Sequence, residues 1–207
     1  MSIQVIDQPL EERVVTLRGV TWERFKAIEA PLLDNHDVKL TYLAGVLEIM
    51  SPIGREHEYI KSTLSLLLET YMRKKGVRFY KRGGFTLEAP GYASGTPDES
   101  YCIGRDKQIP DIVIEVIVSS GTINRKELYK PLRVPEVWFW KSGELRIFQL
   151  DPAAIHVGEH FEYKEVDRSR FFPDLDRALL LKYLGYTDQY DAVKDFRKEL
   201  RDGEQPT

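Results

Sequence analysis

Between Thr96 and Lys126 the chain reads TPDESYCIGRDKQIPDIVIEVIVSSGTINRK, and the residue types in that stretch are those of cation chemistry. Asp98, Asp111 and Glu115 supply carboxylates, and Arg125 with Lys126 supplies positive charge at the mouth of a helix. Carboxylate oxygens are hard donors that suit a divalent ion such as Mg²⁺ or Mn²⁺. A basic residue next to such an ion can neutralise charge building on a bound anion. The stretch outlines a divalent-metal site, provided that the backbone brings the acids together.

A tight β-hairpin would do so. Ile112 to Val118 is a β-branched run interrupted by Glu115 and reads as a buried strand, while Glu99 to Ile103 alternates in the period of two expected of a strand. Gly104-Arg105-Asp106-Lys107 between them is turn chemistry. If Gly104 opposes Lys107, Asp98 lies across from Val113, and Asp98, Asp111, Val113 and Glu115 share one face. Asp111 and Glu115 would then stand roughly 13 Å apart, beyond the span of one ion with ligands at about 2.1 to 2.4 Å. Asp98 is diagonal to both, and either diagonal could close around a metal; Glu115 is favoured because it lies toward the basic helix mouth. An acid inside Ile-Val-Ile-Glu-Val-Ile is costly to bury unless it binds metal or pairs, with Arg125 or Lys126 as alternative partners. Asp111, following Pro110, reads as a turn or edge residue.

Several ordered motifs resemble the Uma-type family of restriction-endonuclease-like proteins, within the PD-(D/E)xK nuclease superfamily. They are Gly45 to Pro52 with the downstream His57, Pro97-Asp98, Pro110-Asp111 leading into Ile114-Glu115-Val116, Ser119-Ser120-Gly121, Ile123-Asn124, Val134 to Trp140, and Phe172 to Asp176. The resemblance implies an α/β fold with a central mixed β-sheet flanked by helices and Mg²⁺- or Mn²⁺-dependent hydrolysis of DNA, and composition with no visible boundary leads us to expect one domain over residues 1–207. The resemblance makes Asp98 and Glu115 the metal-binding acids, with Val116 lending a backbone carbonyl, and it hints at a homodimer. The superfamily lysine two residues after the glutamate is replaced by Ile117, and the family-like alternative, four residues before Tyr129, is Arg125 with Lys126 adjacent. An arginine stays charged at any working pH, so it can stabilise a phosphate but cannot act as a lysine of tuned pKa might. Loss of that lysine also fits a noncatalytic nucleic-acid-binding or interaction module on the same fold.

Ile60, Leu64, Leu67, Leu68 and Tyr71 recur at helical spacing and predict a helix with one buried stripe between Arg55 and Met72. His57 falls near the middle of that stripe, Glu56 on its edge and Glu58 on the wet side. By the resemblance Glu56 is the candidate acid beside the site; its bland alternative is a first-turn acid favoured by the helix dipole, and His57's is a hydrogen-bonded core histidine. There is no G-x-S-x-G elbow, and His36, His57, His156 and His160 show no pairing in sequence.

Composition points to an ordinary globular domain, 42% hydrophobic and 30% charged. No apolar run approaches the ~18 residues of a membrane span and no leader pattern precedes Val14, so a cytoplasmic location is expected. Cys102 is alone and reads as a buried hydrophobe. The net charge of −3 is not the footprint of a protein that grips DNA by charge alone. Locally, Arg73, Lys74, Lys75, Arg78, Lys81 and Arg82 interleave with Tyr71, Phe79, Tyr80 and Phe85, and that patch could track phosphates or merely solvate a helix end and strand edge.

The remainder reads as scaffold. Thr21 should cap a short helix through Ala30, and hairpins are expected around Ala44-Gly45 and Lys141-Ser142-Gly143. Short edge strands are expected within Ala154 to Tyr163 and helices over Leu175 to Leu184 and Gln189 to Leu200, with residues 1–12 and 202–207 flexible. Trp138 and Trp140 share a strand face and belong to a core or dimer contact rather than a base-stacking platform.

Overall fold

The β-branched runs and turn signals of the sequence resolve, in a computed structural model, into two sheets that meet at the acids. The structure describes residues 13–32, 38–51, 54–118, 121–151 and 162–202. His36, His156, His160, Ser119, Ser120, the two expected tails apart from Asp202, and most of the expected 154–163 edge strands lie outside these residues.

The smaller sheet is antiparallel and contains β1 (Arg13–Arg18), β2 (Lys39–Leu43), β3 (Val46–Ser51), β5 (Leu87–Ala89) and β6 (Ala93–Gly95), ordered β1-β3-β2-β6-β5. The larger contains β4 (Phe79–Lys81), β7 (Glu99–Ile103), β8 (Ile112–Ile117), β9 (Glu136–Lys141), β10 (Glu144–Leu150) and β11 (Tyr163–Val166), ordered β11-β10-β9-β8-β7-β4. It is the expected mixed sheet: β8 and β9 run parallel and their neighbours antiparallel. Both expected hairpin turns form, with positive φ at Ala44 (46°) and Gly45 (86°) and at Ser142 (50°) and Gly143 (82°). Two successive positive φ values match the twist of flanking strands, and glycine at the second position takes that conformation without strain.

Helix α1 (Trp22–Glu29) begins at Thr21, whose hydroxyl accepts from the Arg24 N–H at 3.3 Å. Helix α2 (Arg55–Lys74) buries the stripe read from its periodicity against one face of the larger sheet. Leu64, Leu67, Leu68 and Tyr71 pack there with Ile112, Ile114 and Trp138, together with residues of α4 (Arg177–Leu184) and α5 (Gln189–Asp202). Trp138 is core, with Trp140 packed against it, and Cys102 is buried and forms no disulfide. On the opposite sheet face Val113, Val137 and Phe148 pack against Leu128 and Tyr129 of α3 (Arg125–Tyr129), the helix on the crossover that a parallel β8–β9 pair requires.

One register differs from expectation. Ser100 opposes Val113 and Glu99 opposes Ile114, so continuing the ladder by one residue sets Asp98 directly across from Glu115 instead of Val113. The cause is the connection: residues 104–111 form an eight-residue loop in place of a tight turn. Asp111 closes it, accepting from the Ile103 N–H at 2.6 Å and pairing with Lys107 at 2.5 Å, so this acid serves the loop. A slip of two residues leaves every side chain on its expected face and brings the important pair closer.

Glu136 pins the far side of the sheet. It is fully buried and accepts from Trp138 Nε1 (2.9 Å), Ser169 Oγ (2.7 Å), the Arg170 N–H (2.7 Å) and Gln149 Nε2 (3.0 Å), joining β9 and β10 to the segment that leads into α4. Glu136→Ala strands those donors, and urea unfolding should show a loss of about 3 kcal/mol.

Candidate active site

Asp98 and Glu115 do not face each other across empty space. Lys39, from β2 of the smaller sheet, places its ammonium 2.6 Å from Asp98 Oδ1 and 3.2 Å from Glu115 Oε2. The three side chains are only 7%, 5% and 3% exposed, so these are charges withdrawn from water and held by one another.

Each carboxylate is fixed by its other oxygen. Asp98 Oδ2 accepts the Val116 N–H at 2.7 Å, and Glu115 Oε1 accepts the hydroxyl of Tyr129 from α3. Val116 is thus seen at the site through its amide. His57 Nε2 lies 3.1 Å from Asp98 Oδ1, making it the α2 residue that reaches the acids, whereas Glu56, one residue earlier, is exposed on the first turn.

A second tier of charge stands beside the pair. Thr41 and Glu48 oppose each other on β2 and β3, and Lys39, two residues from Thr41, shares their face. Arg125 donates to the Thr41 hydroxyl and lies 3.9 Å from Glu48 Oε2. Glu48 Oε1 accepts from the N–H groups of Thr122 and Ile123 and from the Thr122 hydroxyl, while Oε2 is buried with no hydrogen-bond partner among the described residues. Gly121 permits this approach, because a Cβ there would collide with the Glu48 carboxylate. Lys126, next to Arg125, leaves the acids and sets its ammonium 4.4 Å above the Phe148 ring.

Burial pushes the Asp98 carboxyl up, but Lys39 and then His57 outweigh it and hold the group well below the usual carboxylate range. For Lys39, burial opposes the charge and the Asp98 and Glu115 carboxylates overcome it, leaving the ammonium above its ordinary value. Arg125 is likewise raised, with burial opposed most strongly by Glu115. Burial first, and then Glu115, pushes the Tyr129 phenol well up, so it stays protonated as a donor.

Of the sequence candidates, the structure brings together Asp98, Glu115, Val116, His57 and Arg125. It places Lys126 at an adjoining cavity and Glu56 at the surface. The basic stretch lies on and before β4, the edge strand that pairs with β7, where Arg73 is 3.7 Å from Glu69, Lys81 is 2.9 Å from Glu99 and Arg82 is 3.5 Å from Asp106. Lys74, Lys75 and Arg78 are exposed there. Sequence reasoning missed Lys39 and Thr41, whose only local signal was a polar alternation in Lys-Leu-Thr-Tyr-Leu. Glu48 and Tyr129 lay within or beside the family-like motifs but carried no assigned chemistry.

The Uma2 family model, described as "Putative restriction endonuclease", matches residues 22–180, which include every residue of this cluster. The chain belongs to the Uma2 family. Comparison with curated proteins gives no match. Among the described residues, no helix is long and apolar enough to cross a membrane.

Removing the Lys39 charge should be costly, because two buried carboxylates are left without their shared counterion. Lys39→Met is expected to lose about 3 to 5 kcal/mol in urea unfolding. The depressed Asp98 pKa has its own signature. The ion pair stabilises the fold above the unfolded carboxyl value of about 4 and is lost as pH falls through the lower folded value. Asp98→Asn should therefore flatten the acid limb of a stability profile measured below about pH 4, and an unchanged slope would contradict the charge assignment.

Proposed function

We propose that this chain is a metal-dependent endonuclease hydrolysing DNA phosphodiester bonds in the PD-(D/E)xK manner. The observation that supports it is the convergence of Asp98 Oδ1 and Glu115 Oε2 on a single cationic point. Two hard oxygens aimed at one position suit Mg²⁺ or Mn²⁺. No group of three or more His, Cys, Asp or Glu side chains among the described residues could hold a metal, so two carboxylates, with the Val116 carbonyl assigned by family likeness, would be completed by water and substrate oxygens. Mg²⁺ sites are commonly built that way. When bound, the ion would acidify a water and polarise a nonbridging phosphate oxygen.

The protein's own groups prepare that position. The Val116 N–H and the Tyr129 hydroxyl each take one oxygen of a carboxylate, so the other oxygen of each points inward. Arg125, anchored by Thr41 and Glu48, is a fixed positive charge suited to the phosphate in its transition state. Lys39, protonated throughout the working range, supplies charge and cannot serve as a base. From β2 of the smaller sheet it would take the electrostatic part of the lysine that Ile117 replaces. No serine or cysteine nucleophile is needed, since water attacks phosphorus directly.

One observation favours a second reading. Lys39 already compensates the acid pair, so the same fold would be stable as a noncatalytic nucleic-acid-binding module.

Two measurements separate these readings. Saturating Mn²⁺ should raise the wild-type melting temperature by about 3 °C, leave Asp98→Ala and Glu115→Ala unmoved, and act more strongly on Lys39→Met, where no ammonium competes. Metal-dependent nicking of DNA should disappear in both acid variants and fall about a hundredfold in Arg125→Gln. Wild-type protein that nicks neither single strands nor duplex would leave the binding module standing.

A further inference from the structure

Glu115 of the acid pair and its partner Lys39 line a half-open cavity of about 290 Å³ between β1, β2, β3, β8, β9, β10 and the start of α3. We infer that this cavity takes one unpaired nucleotide, so that the substrate is a single DNA strand and not an intact duplex. The inference deepens the nuclease reading and rests on it for placing the scissile phosphate at Asp98 and Glu115.

Access is the first argument. Glu115 and Lys39 line the cavity wall, and their side chains are at most 7% exposed. A phosphate must enter the cavity to reach them, and the cavity lies at the small end of ligand pockets, which begin near about 300 Å³. That volume admits one nucleotide. A base inside a duplex is held in its stack unless it is extruded or already single-stranded, so an unpaired nucleotide is the form that enters most readily.

The lining is the second argument. Arg125, Lys126, Lys141 and Arg146 contribute cations, and among the described lining residues Glu115 is the sole acid. Phe139 and Phe148 form the apolar floor, their rings edge to face at 5.6 Å, with Phe139 half-buried and Phe148 buried beneath Lys126 and Arg146. Lys126 stands over Phe148, and the Arg146 guanidinium lies 5.2 Å from the same ring while also bonding Glu165 at 2.9 Å. Cations for a sugar-phosphate backbone interleaved with aromatic faces for bases are the recurring means of binding single strands. The Arg73 to Arg82 stretch lacks this combination with the acids, since none of its residues is among those that line the cavity with Glu115.

Fluorescence anisotropy in EDTA, where cleavage cannot occur, tests the inference with the full chain. The probes are a fluorescein-labelled oligothymidylate of about 12 nucleotides and a hairpin duplex of about 12 base pairs, with the single strand expected to bind at least about tenfold more tightly. Lys126→Glu combined with Lys141→Glu should weaken single-strand binding about tenfold or more and reduce its salt slope by about 1.4. Phe139→Leu, which keeps the apolar volume, should weaken it by removing the aromatic face. Equal or tighter duplex binding, or single-strand binding unaffected by the charge and Phe139 variants, would overturn the inference. Tight single-strand binding without nicking in Mn²⁺ would retain it and remove the nuclease; duplex nicking that requires Asp98, without single-strand preference, would do the reverse.

Discussion

A single buried ammonium organises this molecule. Asp98 and Glu115 stand opposite each other on neighbouring strands, where two carboxylates out of water would repel, and Lys39 resolves the conflict by touching both. Lys39 belongs to the other sheet. The contact that makes the acid pair tolerable is therefore also one that holds the two sheets in register, and Thr41 and Glu48, on the same face as Lys39, follow it into place beside Arg125. A buried ion pair is weak evidence of net stability, because desolvation offsets much of its attraction. It does restrict how the sheets can sit, since any arrangement that separates Lys39 from the acids strands at least one charge.

The local parts of this arrangement were legible in the sequence. Helical spacing in Ile60, Leu64, Leu67, Leu68 and Tyr71 defined the buried face of α2 and put His57 on it. Turn chemistry at Ala44-Gly45 and Ser142-Gly143 located two hairpins, and the cost of burying Glu115 within an apolar strand marked it as needing a metal or a partner, though the partner, Lys39, was neither of the two expected. The Asp98–Glu115 face survived an error in loop length, because a ladder shifted by two residues keeps the same side chains inward. Had Asp111 not closed an eight-residue loop, the expected turn would have left the acids diagonal.

What stayed hidden was nonlocal. Lys39 is separated by 59 residues from Asp98 and by 76 from Glu115, and nothing in Lys-Leu-Thr-Tyr-Leu indicates which distant strand its side chain meets. The basic stretch from Arg73 to Arg82 failed as a guide for the same reason. Its cations cluster in sequence, yet Glu69, Glu99 and Asp106 return to meet three of them, while the cations at and beside the acid pair come from β2 and α3, with β9 and β10 adding others along the cavity wall. Clustering along the chain is a poor measure of field strength when folding delivers counterions from elsewhere.

The charge balance of the finished cluster links the fold to the proposed chemistry. Asp98, Glu115 and Glu48 are acids, Lys39 and Arg125 are cations, and the protonated Tyr129 adds nothing. Leaving aside His57, which lies against Asp98, these groups together carry one excess negative charge. With a divalent ion the balance becomes one positive charge, the complement of the single negative charge on a phosphodiester. Replacing Lys39 by a neutral residue would leave the loaded site neutral, and replacing Glu48 would make it doubly positive and weaken its hold on the ion. On the proposed chemistry, Lys39 would supply from β2 the charge that Ile117 lacks, holding the two acids together and leaving the metal-bearing cluster attractive to phosphate.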